Sequence, residues 1–425
     1  MSYEQNRIAM SKEQRATPPI LPLARGGAKS NPTHPPLSKG RSKEGSKSKK
    51  IHTLCSNPPS PLFDPSLSPL TKGGNKGGLI GLLLLFILCS SLFALCFPYM
   101  VDAKMQGRCK DCHSMHADTP YPVLTKGGCV GCHGQFPEGT QNIIKIGKTR
   151  IPQVFHHMQN GDLAGGNFYY VADGYNPDYS KGHNVLGISQ PESIPTMISP
   201  PGFIGNVVIP GGTGPVDWPE QQQLTCSGTW GCHGDRTIEN PYKSIYNAHH
   251  ANNLAIDGST VGKSYRFLYG IKGKEHQEWE YQATIDNHNG YKGDITHSTM
   301  DTISYLCGEC HARFHRHPNL GGVTGASTFF IGHPADISFS TVHGGYAGSE
   351  YQEYVTYSLE SPVAFSNPTG GEKVVDVESI VMCLSCHRPH ATPFSDSLRW
   401  DYSKITISDL TKEGCLICHT SKGGQ

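Results

Sequence analysis

Between residues 104 and 425 every cysteine belongs to a pair, and a histidine directly follows the second member of each pair. Five of the six pairs enclose two residues: Cys109-Lys-Asp-Cys112-His113, Cys129-Val-Gly-Cys132-His133, Cys307-Gly-Glu-Cys310-His311, Cys383-Leu-Ser-Cys386-His387 and Cys415-Leu-Ile-Cys418-His419. This spacing brings both sulfurs to one edge of a flat macrocycle and turns the adjacent imidazole under its face. Such a pattern reads as a c-type haem attachment site, in which the thiols add across two vinyl groups and the histidine becomes the proximal iron ligand. A structural zinc site asks instead for two cysteine pairs converging on one ion, and a thiol redox pair has no use for a histidine in every copy. The sixth pair, Cys226-Ser-Gly-Thr-Trp-Gly-Cys232-His233, places five residues between the thiols. We read it as a haem site whose extra residues loop out on Gly228 and Gly231, the alternatives being a haem held by one thioether or none.

Twelve covalent tethers change what the polypeptide must do to fold. The chain is 36% hydrophobic with 49 glycines and 31 prolines, poor material for long helices or a broad sheet. Six porphyrins would supply the missing apolar core. The expected fold is therefore mostly irregular coil with short helices and few short strands, wrapped around a stacked haem chain. Residues 104–425 provide about 54 residues per haem, too few for a large separate catalytic domain. Short helical turns are expected at each attachment site, and strands at Asn167-Phe-Tyr-Tyr-Val171 and over 264–269.

Residues 1–78 form a Pro/Gly/Ser/Lys-rich leader with 13 basic against 4 acidic side chains, predicted to be disordered or to follow from a misassigned start. The apolar run 79–97 ends near Val101-Asp102-Ala103, whose −3 and −1 residues suit signal peptidase. We read 79–103 as a signal peptide that sends residues 104–425 across the inner membrane, to the periplasm or the extracellular surface. An uncleaved membrane anchor is the rival reading. A lipoprotein fits less well, because Phe-Ile-Leu and Ala-Leu precede Cys89 and Cys96. Residues 104–425 carry 23 basic and 30 acidic side chains, and haem propionates would add negative charge. This balance argues against nucleic acid and leaves other cytochromes or redox proteins, and metal or mineral acceptors, as partners.

Past residue 104 there are fourteen histidines outside the attachment motifs and six methionines, so bis-histidine iron is expected throughout. His116 and His390 follow a proximal histidine by three residues and His315 by four. Each starts on the proximal face of its own haem, so it is placed to ligate a neighbouring one. His156, His183 and His333 sit in turn-like settings that can present an imidazole. His157, His249, His250, His288, His297 and His343 are reserves, with His250 and His288 the strongest. Coordinatively saturated iron moves electrons and binds no substrate. The leading function is electron transfer without enzymatic activity; a multihaem reductase of a small oxyanion or metal species is the alternative, and a haem-stabilised surface scaffold is a third reading.

The order of these features is similar to that of the hexahaem cytochromes that polymerise into extracellular nanowires in metal-reducing bacteria. The residues that carry the resemblance are the first site with its trailing His116, Gly182-His183-Asn184, Ser264-Tyr-Arg-Phe-Leu268, the Cys307 to His315 stretch, and Cys383-Leu-Ser-Cys-His-Arg-Pro-His390. They fall in islands across most of 104–425. The resemblance implies bis-histidine ligation, little regular secondary structure, a continuous haem stack and head-to-tail self-assembly. Two departures stand out: the widened third site, and Gly234-Asp235-Arg236 where a trailing histidine is expected. In this light, and from its place near the expected mature N-terminus, His116 ligates either the fifth haem of the next subunit or the second haem of its own chain.

Overall fold

A computed structural model describes residues 104–105, 107–116, 121–134, 143–146, 149–156, 163–172, 178–191, 199–204, 207–208, 215–216, 218–219, 222–251, 255–276, 283–320, 333, 335–341, 349–407 and 412–421. The leader, the apolar run and the cleavage position after Ala103 lie outside these residues, as do His157 and His343. The chain divides into two units, Met1–Leu85 and Phe86–Gln425, and every described residue belongs to the second.

Coil dominates, as composition requires. The longest α-helix among the described residues, Ile303–Gly308, has 6 residues, and the strands pair only two by two, as in Ile143–Ile146 with Thr149–Pro152. Four of the short helices sit at the attachment motifs: α1 (Cys109–Cys112), α2 (Cys129–His133), the Ile303–Gly308 helix entering the fourth site, and Cys383–Cys386; a further one, Pro241–Ser244, lies between the third and fourth sites. A 3₁₀ turn, Gly414–Ile417, occupies the sixth site. One helical turn puts residues three apart on the same face, so local geometry alone aims both thiols in one direction. The histidine closes the turn, with its backbone N–H donating to the first cysteine's carbonyl: His113 to Cys109 at 2.8 Å, His311 to Cys307 at 2.9 Å, His387 to Cys383 at 3.1 Å and His419 to Cys415 at 3.0 Å.

The third site has no helix, because a six-residue step cannot place both thiols on one turn. Thr225–Ser227 instead pairs with Gly231–His233, and residues 228–230 loop between them. Gly228 has φ +91°, and a Cβ on Gly231 would lie 2.6 Å from the Ser227 Cα. Both glycines are therefore needed for the chain to double back.

The two stretches expected as strands are 3₁₀ turns, Phe168–Val171 and Tyr265–Phe267. The Asn167 side chain accepts from the Tyr169 N–H and caps the first; in the second, Arg266 is left-handed at φ +50°, which no strand tolerates. Their aromatic residues bury themselves from turns instead of from a pleated face. The apolar interior is divided into small clusters beside the attachment sites. One gathers Phe155, Phe168, Val171, Val185 and Ala391 next to Val130 and Cys226. Another packs Phe339, Tyr354, Tyr357 and Ile417 near Cys418.

Candidate functional site

The thiols of successive sites lie side by side in chain order. Cys112 and Cys132 interact electrostatically, Cys129 hydrogen-bonds Cys226, and Cys232 is close to Cys307 and Cys310. Cys307 hydrogen-bonds Cys383, and Cys386 is close to Cys415 and Cys418. Sites one to six thus run as an unbranched series. A cavity lined by Phe203, Trp218, Trp230, Cys232, Arg236 and Cys310 lies between the third and fourth. There Arg236, which stands where a trailing histidine was expected, forms a buried ion pair with Glu309 inside the fourth motif.

Four proximal imidazoles face a second imidazole. The ring centroids are 6.1 Å apart for His113 and His250, 6.3 Å for His133 and His249, 6.1 Å for His311 and His183, and 6.1 Å for His419 and His333. Two imidazoles sharing one metal through bonds of roughly 2 Å have centroids roughly 6.3 Å apart, so the residues present fit an axially bis-histidine haem. At the third site half-buried His390 lies near the Gly166 carbonyl, and His233 is the histidine that acts on it most strongly. Its position is set by a close approach: His183 N–H donates to the His390 carbonyl at 3.0 Å, and a Cβ on Gly182 would lie 2.4 Å from that same oxygen. At the fifth site no ring stands opposite His387 at such a separation among the described residues, and His387 and His116 are both exposed.

Of the remaining candidates, His156 is fully buried and contacts the Asn167 amide, and His315 Nε2 donates to Asp336 at 2.8 Å. The rings that pack on His315 among the described residues are those of His297, Tyr305 and His317. His288, a reserve, stacks on Tyr357 with its ring nitrogens against the Asn289 and Glu372 carbonyls. His297 packs edge-on against His315. His249 and His250, placed among the reserves, take the facing positions instead. Their signal in the sequence is adjacency: on the 3₁₀ turn Ala248–His250 two consecutive side chains diverge and reach separate sites.

Proximal Nδ1 atoms reveal a repeat that no sequence motif announces. His113, His233 and His387 donate to the carbonyls of Val123, Arg266 and Asp396 at 2.9, 2.8 and 2.7 Å. These acceptors are left-handed, at φ +53°, +50° and +60°, and each is followed by a second left-handed residue, Leu124, Phe267 and Ser397. The residue after each histidine then donates to that second carbonyl: Ser114 to Leu124, Gly234 to Phe267, Arg388 to Ser397. A non-glycine residue in this region costs about 1–2 kcal/mol, so the strain is borne at three sites to aim one carbonyl. The second and fourth sites use proline carbonyls, Pro152 at 2.8 Å from His133 and Pro201 at 2.7 Å from His311. Only the sixth uses a side chain: His419 Nδ1 donates to Glu350 Oε1 at 3.0 Å.

Burial holds these imidazoles in the neutral form. Burial first, and neighbouring histidines after it, lower His249 and His311 to about 4 and His390 to about 3. His133, His183 and His233 shift the same way for the same first reason. Since Nδ1 of the proximal residues is occupied, Nε2 is left with a lone pair, the state that metal ligation requires.

No family model and no curated protein matches the chain. Among solved structures, it is similar to the outer membrane cytochrome S filament from Geobacter sulfurreducens, with 16% identity and a TM-score of 0.34 over 73% of this chain and 88% of that one. It is also similar to the OmcS nanowires from Geobacter sulfurreducens seen by cryo-EM, with 16% identity and a TM-score of 0.37 over 72% of this chain and 86% of that one.

Proposed function

We propose that this protein binds six c-type haems covalently and carries electrons along them, outside the inner membrane, as a subunit that assembles head to tail. The observation that carries this reading is the facing of proximal and distal imidazoles at 6.1 to 6.3 Å. The twelve cysteines would hold the haems at Cys109/Cys112, Cys129/Cys132, Cys226/Cys232, Cys307/Cys310, Cys383/Cys386 and Cys415/Cys418. Proximal ligation falls to His113, His133, His233, His311, His387 and His419. The distal ligands are His250, His249, His390, His183 and His333 for the first, second, third, fourth and sixth sites. Bound haem supplies a one-electron Fe(III)/Fe(II) couple. The chain's own part is to keep each imidazole neutral and aimed, to close both axial positions, and to hold successive sites edge to edge.

The fifth site carries the argument for assembly. Among the described residues, exposed His387 has no facing ring and exposed His116 no proximal partner, so each suits the other across a subunit boundary. Such a contact is heterologous and does not close, which builds an open filament. The same observation supports the second reading: an isolated subunit with an open position at His387 could bind a small oxyanion there and act as a reductase.

Near-infrared magnetic circular dichroism of the assembled, oxidised protein separates the two. A conduit shows only the bis-histidine band and no carbon monoxide binding when reduced. A persistent high-spin haem that binds carbon monoxide or nitrite in the assembled protein would replace it with the reductase.

A further inference from the structure

Five proximal histidines donate Nδ1–H to a neutral backbone carbonyl, and the sixth donates to a carboxylate. From this contrast we propose that Glu350 makes the sixth site the lowest in reduction potential of the series, an inference that rests on the haem-chain reading above. A carboxylate draws the Nδ1 proton more strongly than a carbonyl does. The imidazole gains imidazolate character and becomes a stronger donor to iron, which favours Fe(III) over Fe(II). The negative charge acts in the same sense. Glu350 is built into position: its own carbonyl accepts from Thr420 N at 2.7 Å and from Thr420 Oγ1 at 2.6 Å, which clamps it to the residue following His419. Its side chain and that of His419 are 21% and 29% exposed, so the interaction is shielded from bulk water on most sides. Tyr351 hydrogen-bonds the same carboxylate and packs its ring 5.2 Å from His419.

Glu350 is thus a positioning and tuning residue that touches the ligand and not the iron. An electron on the sixth site moves downhill toward the fifth, and in a head-to-tail series each subunit carries one such step at its end.

A redox titration of the complete holoprotein followed by electron paramagnetic resonance tests this. The His333 and His419 planes lie 89° apart, against 27°, 34° and 44° in the other facing pairs. Perpendicular imidazole planes give a strongly anisotropic low-spin signal, which lets the sixth site be followed separately. In the unaltered protein this signal should be the last to disappear on reduction; its loss midway through the titration would overturn the proposal. Glu350→Gln keeps an acceptor oxygen and removes the charge, and should shift the sixth site alone to higher potential. Glu353→Gln removes a charge three residues away that pairs with Lys412 at 3.2 Å, and should leave the sixth site unmoved. An unshifted signal in Glu350→Gln, or an equal shift in Glu353→Gln, would also overturn it. Six low-spin haems with such a result would reject only the role of Glu350, whereas an assembled holoprotein without six low-spin haems would reject the conduit reading itself.

Discussion

His249 and His250 are neighbours in the chain, yet they stand opposite different proximal imidazoles, His133 and His113. The 3₁₀ turn Ala248–His250 sends one ring to each of the first two sites. Two residues downstream of the third motif thereby stand beside the first two, so the surroundings of the N-terminal pair are set by chain more than a hundred residues away.

Replacing either residue should expose one iron. His250→Ala and His249→Ala are each expected to convert one haem of six to high spin, read as loss of near-infrared bis-histidine intensity and gain of carbon monoxide binding. His156→Ala and His315→Ala should keep all six low-spin, since their rings contact Asn167 and Asp336.

Intact mass should exceed the mature polypeptide by six haems. In Cys226→Ala, the third haem should stay attached through Cys232 alone or be lost, because only one thiol then remains to bond it. Free thiols at Cys226 and Cys232 in the unaltered protein would refute a haem at the widened site.

Head-to-tail assembly predicts that His116→Ala gives soluble monomers with one high-spin haem, that of the fifth site. Electron microscopy and sedimentation would show the loss of filaments. A fully low-spin monomer from the unaltered protein would instead assign His116 within its own chain.

The Arg236–Glu309 pair joins the third and fourth sites with both side chains buried. Glu309→Ala leaves an unpaired buried guanidinium, and should cost about 3–5 kcal/mol in guanidinium chloride unfolding. The double variant Arg236→Met, Glu309→Leu should recover most of that loss, as buried pairs replaced by apolar groups commonly do.

Alkaline sensitivity should concentrate near the sixth site. Burial raises Tyr351 to about 12 and Tyr354 further above the usual 10.0, and Tyr354 donates to the Ser361 carbonyl at 2.6 Å. A phenol whose folded value is raised contributes stability that is complete below pH 10 and lost as the pH climbs toward 12. Absorbance of the sixth haem should change over that interval, and Tyr354→Phe should weaken the change at a cost of about 1 kcal/mol at neutral pH.

The turns at the cysteine pairs were legible in the sequence because their geometry is local. Residues three apart share a helical face, the next histidine closes the turn, and nothing distant is needed; even the widened site announced its loop through Gly228 and Gly231. Composition likewise excluded long helices and broad sheets. The facing histidines were legible only in part. His183, His333 and His390 stood out by their settings, but a facing histidine has only to arrive through space, so His249 ranked no higher than His297 and His250 no higher than His288. The left-handed pairs at 123–124, 266–267 and 396–397 share no residue type and contain no glycine; tertiary hydrogen bonds from the proximal histidines hold them against their local preference. Glu350 lies 69 positions from His419. Its meeting with that imidazole follows from the packing of 349–354 against the C-terminal turn, a long-range contact that only the folded chain decides.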